Sequence, residues 1–321
     1  MKILFATYPM AFHTPGGGEI QILEYKKALE RIGHSVSLFN QWAPNFNSFD
    51  VVHFFSCIGG SYNLCKFIKD LNLPLVVSSS LWITEENKFN YDIDQIKRQL
   101  DIADAVVTNS LAESLTLSNI FLIDRNKFHV VLNAVSNNFL SPISPDLFRS
   151  KFGLTGKFIL NIANIEERKN QINLAHAVNK LPGYKLVIVG HIRDQDYARK
   201  VFQTGGDNLI YINYIEDSNL LVSAYKACDI FCLPSTLETP GLAALEAYVN
   251  KAKLVITNKG SAKEYFGDKA IYVSPENIDS IFDGLNFAIK QKHVRCSNEV
   301  VKILTWDDVI GSLEELYLKL I

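Results

Sequence analysis

Short apolar runs at residues 2–7, 35–40, 51–55, 75–79 and 105–109 are rich in Val, Leu, Ile and Phe, and they predict strands buried on both faces. Between them lie stretches of helical period: 19–32, which stops at Gly33, then 62–71 and 111–119. Residues 139–148, with Pro142 and Pro145, follow neither period and predict an interdomain linker, with a boundary near Ser150. The alternation then restarts. Strands are predicted at 158–163, 184–189, 209–212, 230–233 and 253–257, and helices at 171–180 and 219–227. Thr305-Trp306-Asp307-Asp308 caps a final amphipathic helix over 309–320. Such alternation argues for parallel sheets covered by helices on both faces, and its restart argues for two α/β domains, 1–150 and 151–304, with a terminal helix at 305–321. No internal repeat or low-complexity stretch interrupts the pattern.

Composition agrees with two cores. The chain has 321 residues, 48% of them hydrophobic, enough for two domains of about 150 residues each. Charge is balanced: residues 1–150 carry 12 Lys plus Arg against 14 Asp plus Glu, and the remainder carries 20 of each. No basic excess or stripe marks a nucleic-acid partner. Cys57, Cys65, Cys228, Cys232 and Cys296 are odd in number, so buried reduced thiols of a cytosolic protein are expected rather than disulfides or a zinc site. No apolar run approaches the ~18 residues of a membrane span, and strand-like residues begin at Lys2, so a soluble, cytoplasmic chain is expected. Lys26, Lys27 and Arg31 on the first helix are the one hint of contact with an anionic membrane face.

The chemistry concentrates at residues 234–247, P-S-T-L-E-T-P-G-L-A-A-L-E-A. Pro234 ends the strand before it, which puts Glu238 on a loop beyond that strand's carboxyl end. The run from Leu242 onward is a good helix former, which puts Glu246 on the helix itself. In open α/β sheets the carboxyl ends of strands hold the ligand crevice, and helix starts offer N–H groups to anions. Taken alone, the two acids are equally consistent with a solvated surface loop and helix. Arg168 and Lys169 fall on another strand-to-helix turn, where a planar fork and a point charge suit phosphate oxygens; Glu166 and Glu167 beside them allow a neutralised, solvated pair instead. Near the amino terminus, a strand, a loop holding His13, the run Gly16-Gly17-Gly18 and a helix start form a phosphate-approach pattern. It lacks the spacing of the dinucleotide fingerprint and also suits a plain flexible turn.

The stretch from Glu238 to Ala247, E-T-P-G-L-A-A-L-E-A, resembles the signature E-G-F-G-L-x-x-L-E-A of the retaining, nucleotide-sugar-dependent glycosyltransferases of family 4, glycosyl transferases group 1, with Thr239-Pro240 for the usual Gly-Phe. Asn164 to Asn170 resembles that family's T-x-E-P-R-K-N variant, although the Gly-Arg common there is Ala163-Asn164 here. Ala103 to Ser110, Asn133-Ala134-Val135 and Glu264 to Pro275 are similar to further family passages, so the resemblance covers nearly the whole length. It implies the GT-B fold, two Rossmann-like domains facing across a cleft, with the terminal helix crossing back to the first. It also implies metal-independent sugar transfer with retention, in which Arg168 and Lys169 hold the diphosphate and Glu238 orients the sugar. Glu246 would bind the ribose, and Thr239, Gly241, Leu242, Ala243 and Gly190 would contact the donor. The acceptor, a glycan or lipid-linked hydroxyl of cell-surface glycan synthesis, would lie against Gly17, Gly18, His13, His53, Ser80 and Trp82. Ser80 stands where relatives carry a His that contacts the sugar. A GT-B epimerase and a non-catalytic GT-B partner share these features; a nicotinamide dehydrogenase lacks its fingerprint here.

Overall fold

The computed structural model describes residues 1–85, 87–291 and 304–321, which form two compact units. The first contains Met1–Asn133 and, after the second unit, the terminal segment Leu304–Ile321. Its strands are β1 (Lys2–Thr7), β2 (Ser35–Leu38), β3 (Val51–Phe55), β4 (Leu75–Ser78), β5 (Ala105–Thr108) and β6 (Phe128–Val130), and its helices α1 (Gly17–Arg31), α2 (Tyr62–Asp70), α3 (Ile93–Ile102) and α4 (Leu111–Phe121). The second carries α5 (Asp146–Phe152), β7 (Lys157–Ile162), α6 (Gln171–Asn179), β8 (Tyr184–Val189), α7 (Gln195–Gly205), β9 (Leu209–Ile212), α8 (Ser218–Ala227) and β10 (Ile230–Leu233). It continues with α9 (Leu242–Val249), β11 (Leu254–Thr257), α10 (Ala262–Phe266), β12 (Ile271–Val273) and α11 (Ile278–Lys290); α12 (Trp306–Leu320) ends the chain.

Both sheets are parallel, ordered β2-β1-β3-β4-β5-β6 and β12-β11-β10-β7-β8-β9. Successive strand residues face opposite sides, so each sheet needs two covers. In the first unit Leu4, Val52, Val77 and Val106 pack under α2, α3 and α4, through Ile68, Leu100 and Leu117. The opposite face is closed by α1 and α12, where Tyr25 meets Trp306 edge-on at 5.5 Å. In the second, Ile159, Ile188, Cys232 and Val255 pack under α6, α7 and α11. The strand order of the second sheet reverses between β7 and β10, and a reversal of this kind opens a crevice at the carboxyl ends of the two strands.

The helix α12 is tied to the first unit by charge and by a buried ring. Arg31 bonds Asp307 and His34 bonds Glu314. His53 of β3 is fully buried, its Nδ1 2.5 Å from the Tyr317 hydroxyl and its Nε2 2.8 Å from Ser78 Oγ. Its expected place beside an acceptor is therefore corrected: both ring nitrogens are spent in the core. The charges of α1 are also matched, since Lys26 pairs with Glu30, Lys27 with Glu24 and Arg31 with Asp307. No described helix is long and apolar enough to cross a membrane.

The segment around Pro142 and Pro145 is not a linker, and the units divide at Asn133–Ala134 rather than near Ser150. Phe139 and Phe148 are buried, the Phe148 N–H donates to Ser223 Oγ, and Lys226 donates to the carbonyls of Ser141 and Ile143. Prolines break periodicity without preventing an irregular segment from docking. Cys57, Cys65 and Cys232 are buried free thiols and Cys228 is half-buried, while Cys296 lies outside the described residues.

Candidate active site

Four loops meet at the reversal of the second sheet, those after β7, β10, β11 and β12. After β7 the chain turns through Glu166 to Lys169 and enters α6 at Asn170, whose left-handed backbone (φ 58°) is a conformation that Asn tolerates better than most residues. The Asn170 amide donates to the carbonyls of Pro234, after β10, and Pro275, after β12, at 2.9 and 2.8 Å. The Thr236 N–H donates to the Arg168 carbonyl at 2.9 Å. Glu238 then forms an isolated parallel bridge with Gly260, where a Cβ would stand 2.1 Å from the Glu238 carbonyl oxygen. Only glycine fits there.

These clamps put Glu238 among cations. Its Oε1 accepts from Lys169 Nζ at 2.5 Å and from Ser235 Oγ at 2.6 Å, with an Arg168 guanidinium nitrogen at 3.9 Å. Its Oε2 takes no hydrogen bond among the described residues and lies 3.0 Å from where a Cβ on Gly241 would be. Gly241 (φ 89°) caps α9 without a side-chain bond, and a helix start offers its first N–H groups to an anion. Burial opposes ionisation of Glu238, but Lys169, Arg168 and the bonds from Lys169 and Ser235 outweigh it and hold its pKa below the ordinary carboxylate value. Burial likewise lowers the Lys169 pKa against the pull of Glu238. Arg168 also bonds the Leu237 carbonyl at 3.2 Å and Glu166 at 3.0 Å.

Glu246 lies one turn further along α9 and accepts from the buried Tyr225 hydroxyl at 2.7 Å. Burial first, then Glu216 and Glu246, raise the pKa of Tyr214, whose ring stacks on His191 at 4.3 Å. Gly190, which ends β8, is held at φ 154° because a Cβ would meet the Ala163 carbonyl oxygen at 2.1 Å; it packs two loops together. Thr239 and Ala243 are half-buried and Leu242 is buried at the same corner.

The candidates of the first unit are differently placed. Gly17 and Gly18 are the first residues of α1, and the carboxylate of Glu19 already caps that helix through the Gly16 N–H at 2.7 Å. The expected open glycine cradle is thus a capped helix start, since Glu19 reaches back to the backbone it follows. His13 and Ser80 are exposed, Trp82 is half-buried, and Ser80 takes a left-handed backbone at φ 44°. Residues that sequence reasoning passed over are Ser235, Asn170, Tyr225, Gly260 and Arg193. Ser235 lies three residues ahead of Glu238, in the stretch 234–247 already singled out, and was legible there. The others act through residues distant in sequence.

A sequence model of the family described as glycosyl transferases group 1 matches residues 144–300, the stretch that contains all of this geometry. Over that stretch, just under half of the chain, the protein is similar to that family. The D-inositol 3-phosphate glycosyltransferase of Mycolicibacterium smegmatis is 29% identical over 156 residues, 46% of this chain and 36% of that protein. The chain therefore spans little more than a third of that relative's length. Among solved structures, the sucrose-phosphate synthase of Thermosynechococcus elongatus superposes with a TM-score of 0.82 at 15% identity, covering 100% of this chain and 99% of the other. Anabaena HepE in complex with UDP and glucose superposes at 0.76 with 16% identity, covering 100% and 95%. These likenesses are of fold, and the fold of this chain is GT-B.

Proposed function

We propose that this chain transfers a sugar, with retention and without a metal, from a nucleoside-diphosphate sugar to a hydroxyl of a glycan or lipid-linked acceptor. The observation that carries the reading is Glu238: one oxygen is taken by Lys169 and Ser235, and the other, beside the start of α9, takes no hydrogen bond among the described residues. A sugar hydroxyl donating to Oε2 would be fixed beside Arg168, Lys169 and the α9 N–H groups, where the departing diphosphate gathers its charge. Charge-assisted bonds contribute about 1.5–3 kcal/mol each, and a catalyst supplies on the order of 8 kcal/mol or more, so these donors act together. Glu246, oriented by Tyr225, accepts from the ribose hydroxyls. With the leaving phosphate taking the acceptor's proton, the retained configuration needs no covalent carboxylate. The loops carrying His13, Ser80 and Trp82 are the candidate acceptor side. Support comes from the family and from the neighbour HepE, whose structure holds UDP and glucose.

Calorimetric titration with UDP, GDP, ADP and CDP, followed by product analysis with the matching sugars, tests the proposal. One nucleotide binds, its sugar is hydrolysed slowly or transferred, and Glu246→Ala weakens that nucleotide about tenfold. Failure of every donor to bind or react sinks the reading, and conversion of donor alone to an epimer replaces it.

A further inference from the structure

At the end of the second unit opposite the candidate site, a cavity of about 340 Å³ lies at the amino ends of β7, β8, β10 and β11. Four lysines from separate parts of the chain line it. Lys157 opens β7, Lys226 lies in the last turn of α8, Lys251 follows α9 and Lys253 precedes β11. Two of the ammonium groups are half-buried and fixed by backbone. Lys226 donates to the carbonyls of Ser141 and Ile143 at 2.9 and 3.2 Å, and Lys253 to those of Ala288 and Gln291 at 2.8 and 2.7 Å. An ammonium has three N–H donors, so among the described residues each keeps one uncommitted. Lys157 and Lys251 are exposed, with Lys157 Nζ 5.6 Å from the centre of the Tyr184 ring. None of the four forms an ion pair among the described residues, and the one acid in the described lining, Asp229, accepts from the Phe158 N–H at 3.0 Å.

Lysines suit helix carboxyl ends, where they complement the dipole, and three helices end at this cavity. The size of the charges decides whether that accounts for them. The ends of α8, α9 and α11 carry about half a negative charge each, and with Asp229 they offset about two and a half of the four positive charges. A surplus of about one and a half remains, inside a concave site that focuses it. We propose that this cavity binds a small, multiply charged phosphate anion, separately from the donor site. A phosphate group packs about two charges into one small volume, and lysines hold it as point charges without the planar match that guanidinium and carboxylate share. The half-buried, fixed ammonium groups favour a soluble anion that enters the cavity over a bilayer, which presents its phosphates on a broad face.

The test is calorimetric titration of the full chain with inorganic tripolyphosphate at physiological ionic strength. Wild type binds, and Lys157→Gln/Lys251→Gln, which removes the two exposed charges, weakens the anion about tenfold. Lys200→Gln/Lys263→Gln removes the same charge from exposed positions on α7 and α10 and changes affinity less than about twofold. Equal weakening in the two lysine pairs marks diffuse charge and overturns the proposal. So does weakening in Arg168→Ala with none in Lys157→Gln/Lys251→Gln, which puts the anion at the donor cations. A wild-type chain that binds no tripolyphosphate overturns it as well. If that chain is instead captured by phosphatidylglycerol vesicles, and the Lys157/Lys251 variant is not, the lysines belong to a lipid surface.

Discussion

Glu113 in the first unit and Glu238 in the second are both buried carboxylates beyond the carboxyl ends of parallel strands, and they are satisfied in opposite ways. Glu113 is held by neutral groups: Ser79 Oγ at 2.6 Å and the Leu81 N–H at 3.1 Å on Oε1, the Asn109 N–H at 2.9 Å on Oε2. Both oxygens are used, and the result is a pinned corner that presents Ser80 in its left-handed backbone. Glu238 is held by cations and a hydroxyl on one oxygen, and the other takes no bond among the described residues. A saturated carboxylate builds structure; an unsaturated one backed by charge is available for a ligand.

The sharpest way to break this contrast is substitution of each acid. Glu238→Gln should lower kcat about 10²- to 10³-fold with a smaller change in urea unfolding, because the amide oxygen still accepts from Lys169 and Ser235. Glu113→Ala should do the reverse. It strands two buried N–H groups and costs about 3 kcal/mol of stability, with nucleotide affinity retained. If Glu113→Ala abolishes turnover in a folded protein, or Glu238→Gln unfolds the chain, the division of labour is wrong.

Acid should separate the units next. Burial pushes the His53 pKa down from 6.5 to about 3. The unfolded chain therefore binds the extra proton between those values, and the contribution of neutral His53 is complete above pH 6.5 and is lost as pH falls toward 3. By pH 4.5 this amounts to roughly 2–3 kcal/mol against the first unit. Glu238, with its pKa held below 4.5, keeps its contribution until lower pH. Hydrogen exchange during a pH titration should show α12 and β3 opening before β10 and α9, and simultaneous opening would contradict it. The smallest effect belongs to Ser235→Ala, which removes one bond to Glu238 and should reduce kcat about fivefold, on the order of 1 kcal/mol. A larger drop would mean that Ser235 touches substrate.

Much of this was legible in the residues because the fold is periodic. Apolar strands such as 51–55 and 230–233 announce themselves by burial on both faces, and Pro234 and Gly241 mark where a strand stops and a helix begins. The acids and bases of the site sit on such boundaries, so Glu238, Glu246, Arg168 and Lys169 could be read in one dimension. Helices α3, α7 and α11 were missed, and 139–148 was misread because irregular segments dock through backbone groups that leave no periodic trace.

The amino-acid order by itself determined two parallel α/β units and which loops carry charge, since burial and turn chemistry are local properties. Tertiary structure alone decided the partners. It chose which oxygen of Glu238 is occupied, sent His53 into the core and set Arg193 across from Arg168 through Glu166. Those outcomes depend on strand order and on the approach of loops far apart in the chain, and no local pattern encodes a distance.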